Sequence, residues 1–413
     1  TTANVGVGHK VGYYNVTGTG NTWLGYQAGA GASGQSNSDN VGIGYGTLTT
    51  ITTGAGNVAI GHGAGDTLTS GHSNVFIGKS AGDYVQTGEF NVAVGLEAYT
   101  YGATDADRST FLGTAAGQIN FGASQVAIGY AAFSQYTAAG GAQTFIGYQS
   151  GQTIKTGEGN TAVGSYTFGG SKFAQDSVAI GMAAAQYSSG SQNVLVGRSA
   201  GNLMYSGSDD VYIGYSAGYY ATGSKNTFVG SQAGRGGVTS APYSSGGNNT
   251  AVGERAFYSH TTGDNNVAIG YLTMYASTTA RYNTALGNSA LFGNTSGQSN
   301  IAIGQDSLAS SQTANNMIAI GFQAMYQSNH ADTAGNVAIG YTALRMNIKG
   351  AQNVAIGDEA GRYATGSKNT FVGHRAGRGS DSTPYASGDM NTALGNDAMR
   401  GLTTGYRNVS LGH

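Results

Sequence analysis

The chain has 413 residues, of which 72 are glycine, two are proline and none is cysteine, and its formal net charge is −2. Charged residues make up only 9% of the chain, against about 25% in an ordinary domain, and no basic stripe is present, which argues against a disordered chain and against nucleic acid as a partner. The lack of cysteine excludes disulfide bonds and thiolate metal sites, and no apolar run approaches the ~20 residues of a membrane helix, so the sequence predicts no membrane insertion.

One short phrase recurs along the whole chain: asparagine, a β-branched residue, a small or aromatic residue, an aliphatic residue and glycine. The first copy closes at Gly8, the last closes at Gly412, and residues 57–61 are a typical example. Counted by the closing glycine there are 24 copies, nearly all 16 to 19 residues apart. A fixed short period is typical of a solenoid, in which one structural unit is stacked on itself. The sequence therefore predicts a single all-β solenoid over residues 1–413, a rod of about 24 coils of ~17 residues.

Each coil begins with a predicted strand, whose residues we number backwards from the closing glycine as positions −4 to −1. Position −3 is Val, Thr or Ile and position −1 is Val, Ile or Leu in every copy. Alternate side chains of a strand share one face, so we assign these two positions to the core of the coil. Representative core residues are Val58, Ile60, Val267, Ile269, Val354 and Ile356.

Position −2 lies on the opposite face of the same strand and is never charged. Most copies have alanine there, and others have a large apolar side chain. Because a strand that is apolar on both faces is buried on both faces, the sequence predicts that position −2 meets other copies of the chain. The candidate subunit interface consists of Trp23, Phe76, Phe111, Phe145, Phe228 and Phe371.

Position −4 is asparagine in 18 of the 24 copies. Asparagine tolerates turn conformations, and stacked asparagine amides can hydrogen-bond from one layer to the next. The sequence therefore predicts a row of stacked amides, which includes Asn57, Asn74, Asn91, Asn266 and Asn353. The closing glycine fits a sharp bend or a close backbone approach. After it we expect a second, weaker strand and a Thr-Gly or Ser-Gly turn.

The phrase Asn-Val-Ala-Ile-Gly-x-x-Ala resembles the head repeat of trimeric autotransporter adhesins and the repeats of trimeric phage tail fibres. Good matches cover 57–64, 336–343 and 353–360, and the resemblance extends over nearly the whole chain. It implies a left-handed parallel β-roll, three chains to a fibre, and a role in adhesion. The coil of those adhesins is shorter than ~17 residues, so we expect the second strand or its loop to be longer here.

Two segments interrupt the regular spacing, at 235–248 and 378–390, where the intervals reach 23 and 22 residues and the two prolines occur. We expect loops there. Loops on a rigid scaffold often carry binding sites, so they are candidates for receptor recognition, with tolerated length variation as the alternative. Residues 220–230 recur letter for letter at 363–373. This recurrence predicts a duplicated eight-coil block, 214–356 and 357–413, whose second copy is truncated.

Aromatic and imidazole side chains often follow the closing glycine directly. They are Tyr26, Tyr45, Tyr130, Tyr148, Tyr215, Tyr271, Tyr341, His9, His62, His374 and His413. An outward tyrosine row could stack sugars or pack between chains, and we favour packing because tyrosine joins an apolar ring to a polar hydroxyl. The histidines lie several coils apart, so stacking alone does not gather them into a metal site, although a site on a threefold axis stays open.

No group of residues carries an independent signal for catalysis. Adjacent or nearly adjacent carboxylates occur at Asp105/Asp107, Asp209/Asp210 and Asp358/Glu359. A glycosidase needs two carboxyl groups about 5–10 Å apart across a cleft. In the predicted register Glu359 lies one coil from Arg375, so an ion pair between coils is the expected role of that carboxylate. The sequence predicts no enzyme activity, no cofactor and no metal ion.

The leading functional hypothesis is a homotrimeric fibre shaft of a phage tail fibre or similar extracellular appendage, which spaces or presents a receptor-binding region. Its partners would be other copies of itself and a host surface glycan or protein receptor. A bacterial cell-surface adhesin or filament subunit is the alternative, and a polysaccharide depolymerase on a trimeric solenoid is the third. If Ile60 and Ile269 are core residues, truncation of either to alanine is expected to cost ~2–5 kcal/mol.

Overall fold

A computed structural model of the chain describes residues 3–102, 104–138, 141–237, 244–328, 334–381 and 386–413. These residues form an all-β, parallel β-solenoid of about 23 turns, with no helix among them. The prediction of an all-β solenoid is therefore confirmed. The chain divides into two compact units, Thr1–Tyr205 and Ser206–His413, which are described separately.

Among its described residues the first unit has fourteen strands, twelve of which are copies of the repeated phrase. They are β1 (Val5–Val7), β2 (Thr22–Leu24), β3 (Val41–Ile43), β4 (Val58–Ile60), β5 (Val75–Ile77), β6 (Val92–Val94), β7 (Thr110–Leu112), β8 (Ile119–Asn120), β9 (Gln125–Ile128), β10 (Gln135–Tyr136), β11 (Gln143–Ile146), β12 (Thr161–Val163), β13 (Val178–Ile180) and β14 (Val194–Val196). The short strands β8 and β10 pair only with each other.

The second unit has twelve strands in its described part, all of them copies of the phrase. They are β15 (Val211–Ile213), β16 (Thr227–Val229), β17 (Thr250–Val252), β18 (Val267–Ile269), β19 (Thr284–Leu286), β20 (Ile301–Ile303), β21 (Ile318–Ile320), β22 (Val337–Ile339), β23 (Val354–Ile356), β24 (Thr370–Val372), β25 (Thr392–Leu394) and β26 (Val409–Leu411).

Within each unit the phrase strands pair in parallel and in register. Each position lies beside the same position of the next turn, as Ala59 lies beside Phe76 and Ala268 beside Ala285. A slip by one residue would exchange the inner and outer faces of a strand. In-register stacking therefore gives every turn the same division between interior and surface.

That division is the reverse of the predicted one. Position −2 faces the interior of the chain itself, and its side chain is fully buried in most turns. The six residues predicted to form a subunit interface are all core residues: Trp23, Phe76, Phe111, Phe145, Phe228 and Phe371. The interior of one turn is wide enough to hold a ring, so no partner chain is needed to cover these side chains.

The predicted core residues lie on the opposite, outer face of the strand. Val58, Ile60, Val267 and Val354 are half-buried. Ile269 and Ile356 are 37% and 39% exposed. The alternation along the strand was predicted correctly, because it follows from strand geometry, but the two faces were assigned the wrong way round.

The interior is filled by two positions of the turn whose sizes complement each other. Where position −2 is aromatic, the fourth residue after the closing glycine is glycine; a Cβ added to Gly82 would lie 2.6 Å from the ring of Phe76. Where position −2 is alanine, the fourth residue is usually large, as in the buried pair Ala268 and Met274. Most turns therefore fill their own interior at close packing. Where both positions are small, as in the turn of Gly65, side chains of the neighbouring turns such as Phe76 fill the space.

The predicted second strand is present only in part. Apart from β8 and β10, the second side of the turn has isolated bridges such as Ala221–Ser244 and Ala364–Ala386. The second and fourth residues after the closing glycine have positive φ in most turns, for example 54° at Leu272 and 52° at Met274. A strand requires negative φ, so this side of the turn is a series of bends.

The closing glycine has the close backbone approach that the sequence predicts. Gly61 has a φ of 130°, and a Cβ added there would lie 2.6 Å from the carbonyl oxygen of Gly78 in the next turn. Any side chain at this position would push neighbouring turns apart. The glycine is therefore required both by its backbone conformation and by the spacing of the turns.

The two predicted loops, at 235–248 and 378–390, include residues 238–243 and 382–385 with Pro242 and Pro384, which lie outside the described residues. The repeated segments beside them make equivalent contacts. The Cζ atom of Arg235 lies 5.0 Å from the ring centre of Tyr220, and that of Arg378 lies 5.1 Å from the ring centre of Tyr363. Identical segments thus adopt matching local arrangements.

Candidate association surface

An aliphatic strip runs along the outer face of the phrase strands in each unit. We define the aliphatic strip as the residues at positions −3 and −1. It consists of Val, Ile, Leu and Thr side chains and contains no charged residue. Its most exposed members within the stacks, 36% to 47% accessible, are Leu24, Val163, Ile180, Val194, Ile213, Ile269, Leu286, Ile301, Ile339, Ile356 and Leu394.

Buried asparagine side chains at position −4 hold the register of the strip. The backbone N–H and the Nδ2 group of Asn74 both donate to Oδ1 of Asn57 at 3.0 Å. The Nδ2 group of Asn74 also donates to the carbonyl oxygen of Gly88 at 2.8 Å. The same bonds link Asn266 to Asn249 and Asn353 to Asn336 through their backbone N–H groups. The predicted amide row is therefore confirmed.

The strip is mostly aliphatic, so its exposure to water is unfavourable. Monomeric proteins rarely expose a continuous apolar patch larger than a few hundred Å², and here every turn adds two strip residues, of which at least one is aliphatic. Side chains on the strip offer no donor or acceptor except the threonine hydroxyls. A second apolar surface is the partner that this chemistry favours.

The tyrosines that follow the closing glycine form exposed columns. In the first unit the rings of His9, Tyr26, Tyr45 and His62 stack in sequence, with centroids 5.0 to 5.2 Å apart and planes within 12° of parallel. Tyr45 is 54% exposed. The predicted outward row is confirmed, and two of the histidines are members of a ring stack.

The predicted ion pair between Glu359 and Arg375 is confirmed and belongs to a larger network. Oε2 of Glu359 lies 3.0 Å from Nε of Arg375 and 2.9 Å from Nε of Arg378. Arg362 binds the other carboxylate oxygen. Burial opposes ionisation of Glu359, but the three guanidinium groups outweigh it and lower the pKa of this carboxyl group.

The other predicted carboxylates have local structural contacts. Oδ1 of Asp107 accepts a hydrogen bond from the backbone N–H of Glu89 at 2.7 Å. Asp210 takes the place of an asparagine in the buried row, and its Oδ1 accepts from the backbone N–H of Asn226 at 2.7 Å. Burial raises the pKa of Asp210 to about 7. The predicted pairs therefore do not come together as one acid–base site.

One carboxylate pair was missed by the sequence reasoning. Asp66 and Asp83 are each five residues after the closing glycine in consecutive turns, a signal that aligned repeats would have shown. Burial and the neighbouring Asp66 raise the pKa of Asp83 to about 6, against the opposing charge of His62. Burial also raises the pKa of Asp66. These two groups are the candidates for acid–base chemistry on this chain.

His260 is a core side chain. It is fully buried and stacks on Phe257, with ring centroids 4.8 Å apart. Burial lowers its pKa to about 4, so the imidazole is neutral at physiological pH. His330 lies outside the described residues.

In the part of the chain that the structure describes, no three His, Asp or Glu side chains are grouped so as to hold a metal ion. That part also contains no helix long and apolar enough to cross a membrane. Both units have members of the aliphatic strip that are 36% or more exposed. Searches against protein-family models and against curated proteins return no match for this chain.

Proposed function

We propose that this chain is a structural and adhesive fibre shaft, of a phage tail fibre or similar extracellular appendage, in which three copies associate through the aliphatic strip. The observation that carries the proposal is the strip itself, which is uncharged and mostly aliphatic and to which every turn adds two residues. It replaces the interface predicted from the sequence, whose aromatic residues are core residues.

Parallel association in register suits a repeated surface of this kind. Because each turn presents the same two aliphatic positions, copies aligned side by side bring like positions to the same level. A closed cyclic arrangement lets every copy use one surface and leaves none of it exposed. Three strips around a common axis would form a second apolar core outside the individual chains. The resemblance to trimeric fibre repeats points to the same number of copies.

A bacterial cell-surface adhesin or filament subunit remains the alternative, since it would use the same surface. A polysaccharide depolymerase is the third function, and its candidate groups are Asp66 and Asp83, which occupy the same position in consecutive turns and whose pKa values are raised by burial. Incubation with a capsular polysaccharide tests this third function. Release of reducing ends by the wild type, and loss of that release in an Asp83→Asn variant, would favour it over the fibre shaft.

Mass in solution tests the proposal. Light scattering on the purified chain should give about three times 41.6 kDa. The variant Ile269→Gln/Ile339→Gln/Ile356→Gln should shift the mass toward the single chain, because it places three amides in an apolar contact.

A matched control changes exposed apolar residues outside the strip. Tyr282 directly precedes the asparagine of the phrase and Tyr406 lies two residues before it, and they are 59% and 53% exposed. Glutamine occurs naturally at both places, as at Gln192 and Gln298. Tyr282→Gln/Tyr406→Gln should keep the wild-type mass. A wild-type chain that stays monomeric at micromolar concentration would overturn the proposal.

A further inference from the structure

A column of aromatic rings in the second unit is interrupted at one turn. We define the ring column as the fifth residue after each closing glycine, and it runs through Tyr258, Tyr275, Phe292, Ala309 and Tyr326. Tyr258 stacks on Tyr275 at 5.0 Å and 9°, and Tyr275 stacks on Phe292 at 5.3 Å and 6°. At the next turn the side chain is a methyl group.

Backbone hydrogen bonds place Ala309 directly between two rings. The N–H of Gly293 donates to the carbonyl oxygen of Ala309 at 2.8 Å, and the N–H of Ser310 donates to that of Tyr326 at 3.0 Å. Phe292 and Tyr326 are therefore two strand spacings apart, about 9.5 Å along the stack. That distance accommodates one further planar group in contact with both rings.

The gap is an open cavity of about 450 Å³. Phe292 and Tyr326 form its two ends and Ala309 its floor, and Ser289, Asp306 and Ser310 line it as well. Two apolar faces thus enclose a space that has a carboxylate and hydroxyl groups at its edge. We call this cavity the Ala309 slot.

The ring column shows what fits between two rings elsewhere in the same unit. Arg235 is also the fifth residue after a closing glycine. Its Cζ atom lies 5.8 Å from the ring centre of Tyr219 and 5.4 Å from that of Tyr258, the aromatic residues of the turns on either side. In the turn of Arg235 a guanidinium group therefore lies between two rings, at the place that is empty beside the methyl group of Ala309.

The carboxylate at the edge of the slot has a recurrent partner in other turns. Asp306 is the second residue after its closing glycine, as Glu359 and Asp397 are after theirs. Glu359 binds Arg362, and Oδ1 of Asp397 lies 3.6 Å from Nε of Arg400. Both arginines are members of the ring column. The turn with Asp306 has the carboxylate but has alanine in place of the arginine.

We propose that the Ala309 slot binds a guanidinium group from outside the chain, the side chain of an arginine in a partner polypeptide. The group stacks between Phe292 and Tyr326 and forms an ion pair with Asp306. Cation–π contact on both faces and a carboxylate at the edge are the three features that recognise a planar cation. Arg345 covers the far face of Tyr326, with Cζ 5.5 Å from the ring centre. This site is independent of the aliphatic strip and of the number of copies in the fibre.

The direct test compares two isosteric probes. N-acetyl-argininamide and N-acetyl-citrullinamide differ in charge but hardly in shape, and titration with each is followed by ligand-observed NMR on the full chain. We expect the arginine compound to bind at least about tenfold more tightly, because the neutral urea lacks the cation–π and ion-pair contributions. Equal binding of the two compounds would overturn the proposal, and so would binding of a neutral pyranoside with no response to arginine.

Ethylguanidinium distinguishes the source of the group. If the ligand is an arginine of a polypeptide, N-acetyl-argininamide should bind more tightly than ethylguanidinium, because its backbone amides also contact the site. Equal affinities would mean that the natural ligand is a small guanidinium compound and would overturn the assignment to a polypeptide. Asp306→Asn should weaken arginine binding by about three- to tenfold. Asp358→Asn, which removes an exposed carboxylate in another turn, should leave it unchanged.

Filling the slot gives a second readout. Ala309→Arg supplies the chain's own guanidinium group and should abolish binding of the free probe while raising the melting temperature. Ala309→Phe should abolish binding by completing the ring column. Probe affinity that survives in both variants, or a lower melting temperature for Ala309→Arg, would show that the slot does not accept a guanidinium group.

Discussion

The closing glycine determines how closely neighbouring turns approach. Gly61 combines a φ of 130° with a backbone contact to Gly78 that leaves no room for a Cβ. Left-handed conformations also occur at non-glycine residues before the asparagine and at the second and fourth residues after the glycine, as at Lys225, Leu272 and Met274. Such conformations cost of order 1–3 kcal/mol each when they are strained. In-register stacking supplies the hydrogen bonds and contacts that offset this cost.

A single residue in the amide row makes the stability of the chain depend on pH. Burial raises the pKa of Asp210 from 3.8 to about 7, while the bond from Asn226 opposes the rise. A raised pKa means that the fold favours the protonated carboxyl group. The stability that it contributes is fully present below pH ~4, where the unfolded chain is also protonated, and is lost as the pH rises through about 7.

Asp210→Asn restores the residue that is usual in the row and removes this titration. At pH 8.5 we expect the variant to be more stable than the wild type by on the order of 3 kcal/mol, with little difference at pH 4. Thermal melting at the two pH values measures the effect. Asp176→Asn, a change at an exposed aspartate in another turn, is the control. Parallel pH dependences of Asp210→Asn and the wild type would contradict the assignment.

At the scale of one turn, stability depends on the match between position −2 and the fourth residue after the glycine. Phe76→Ala should cost ~3–5 kcal/mol, because it leaves a cavity in a sealed interior. Gly82→Met alone should also destabilise, since its Cβ would lie 2.6 Å from the ring of Phe76. The double variant recreates the arrangement of Ala268 and Met274 and should recover ~1–3 kcal/mol relative to the sum of the two.

Urea denaturation of the wild type, both single variants and the double variant gives this coupling energy. A double variant whose loss equals the sum of the single losses would mean that the two positions do not share one interior space.

The same two positions show what the sequence could and could not predict about a turn. Period, parallel register, the amide row and the Glu359–Arg375 pair follow from spacing alone. Alternation defines two faces of the strand but not which is inside, because both are apolar. The signal that would have decided it is the pairing of aromatic residues with glycine, as in Phe76 and Gly82. The bends at Leu272 and Met274 could not be predicted, since these residue types do not favour positive φ.

At the scale of the proposed assembly, the strip should stabilise the complex more than the single chain. Ile269 is 37% exposed and Ile60 is half-buried. Ile60→Ala and Ile269→Ala should therefore cost less than ~1 kcal/mol in the isolated chain, in place of the ~2–5 kcal/mol of a core truncation. The larger loss should appear in the association free energy.

Sedimentation over a range of concentrations, with thermal melting of the dilute chain, separates the two contributions. A loss of several kcal/mol in the unfolding free energy of the dilute chain, with no change in mass, would mean that these residues are core residues.

The Ala309 slot is also a feature of several turns together. The sequence alone did not predict it, because Asp306 and Ala309 carry no signal until the stacking of Phe292 and Tyr326 on either side of Ala309 is known.

Equivalent turns have a consequence for how such a chain changes length during evolution. Because most turns fill their own interior and all phrase strands pair in the same register, the loss or duplication of one whole repeat alters the number of layers and disturbs the core only where neighbouring turns share side-chain contacts. A deletion of one residue within a phrase strand would instead exchange the inner and outer faces of that strand. The identical segments 220–230 and 363–373 are what growth by copying whole repeats would leave behind.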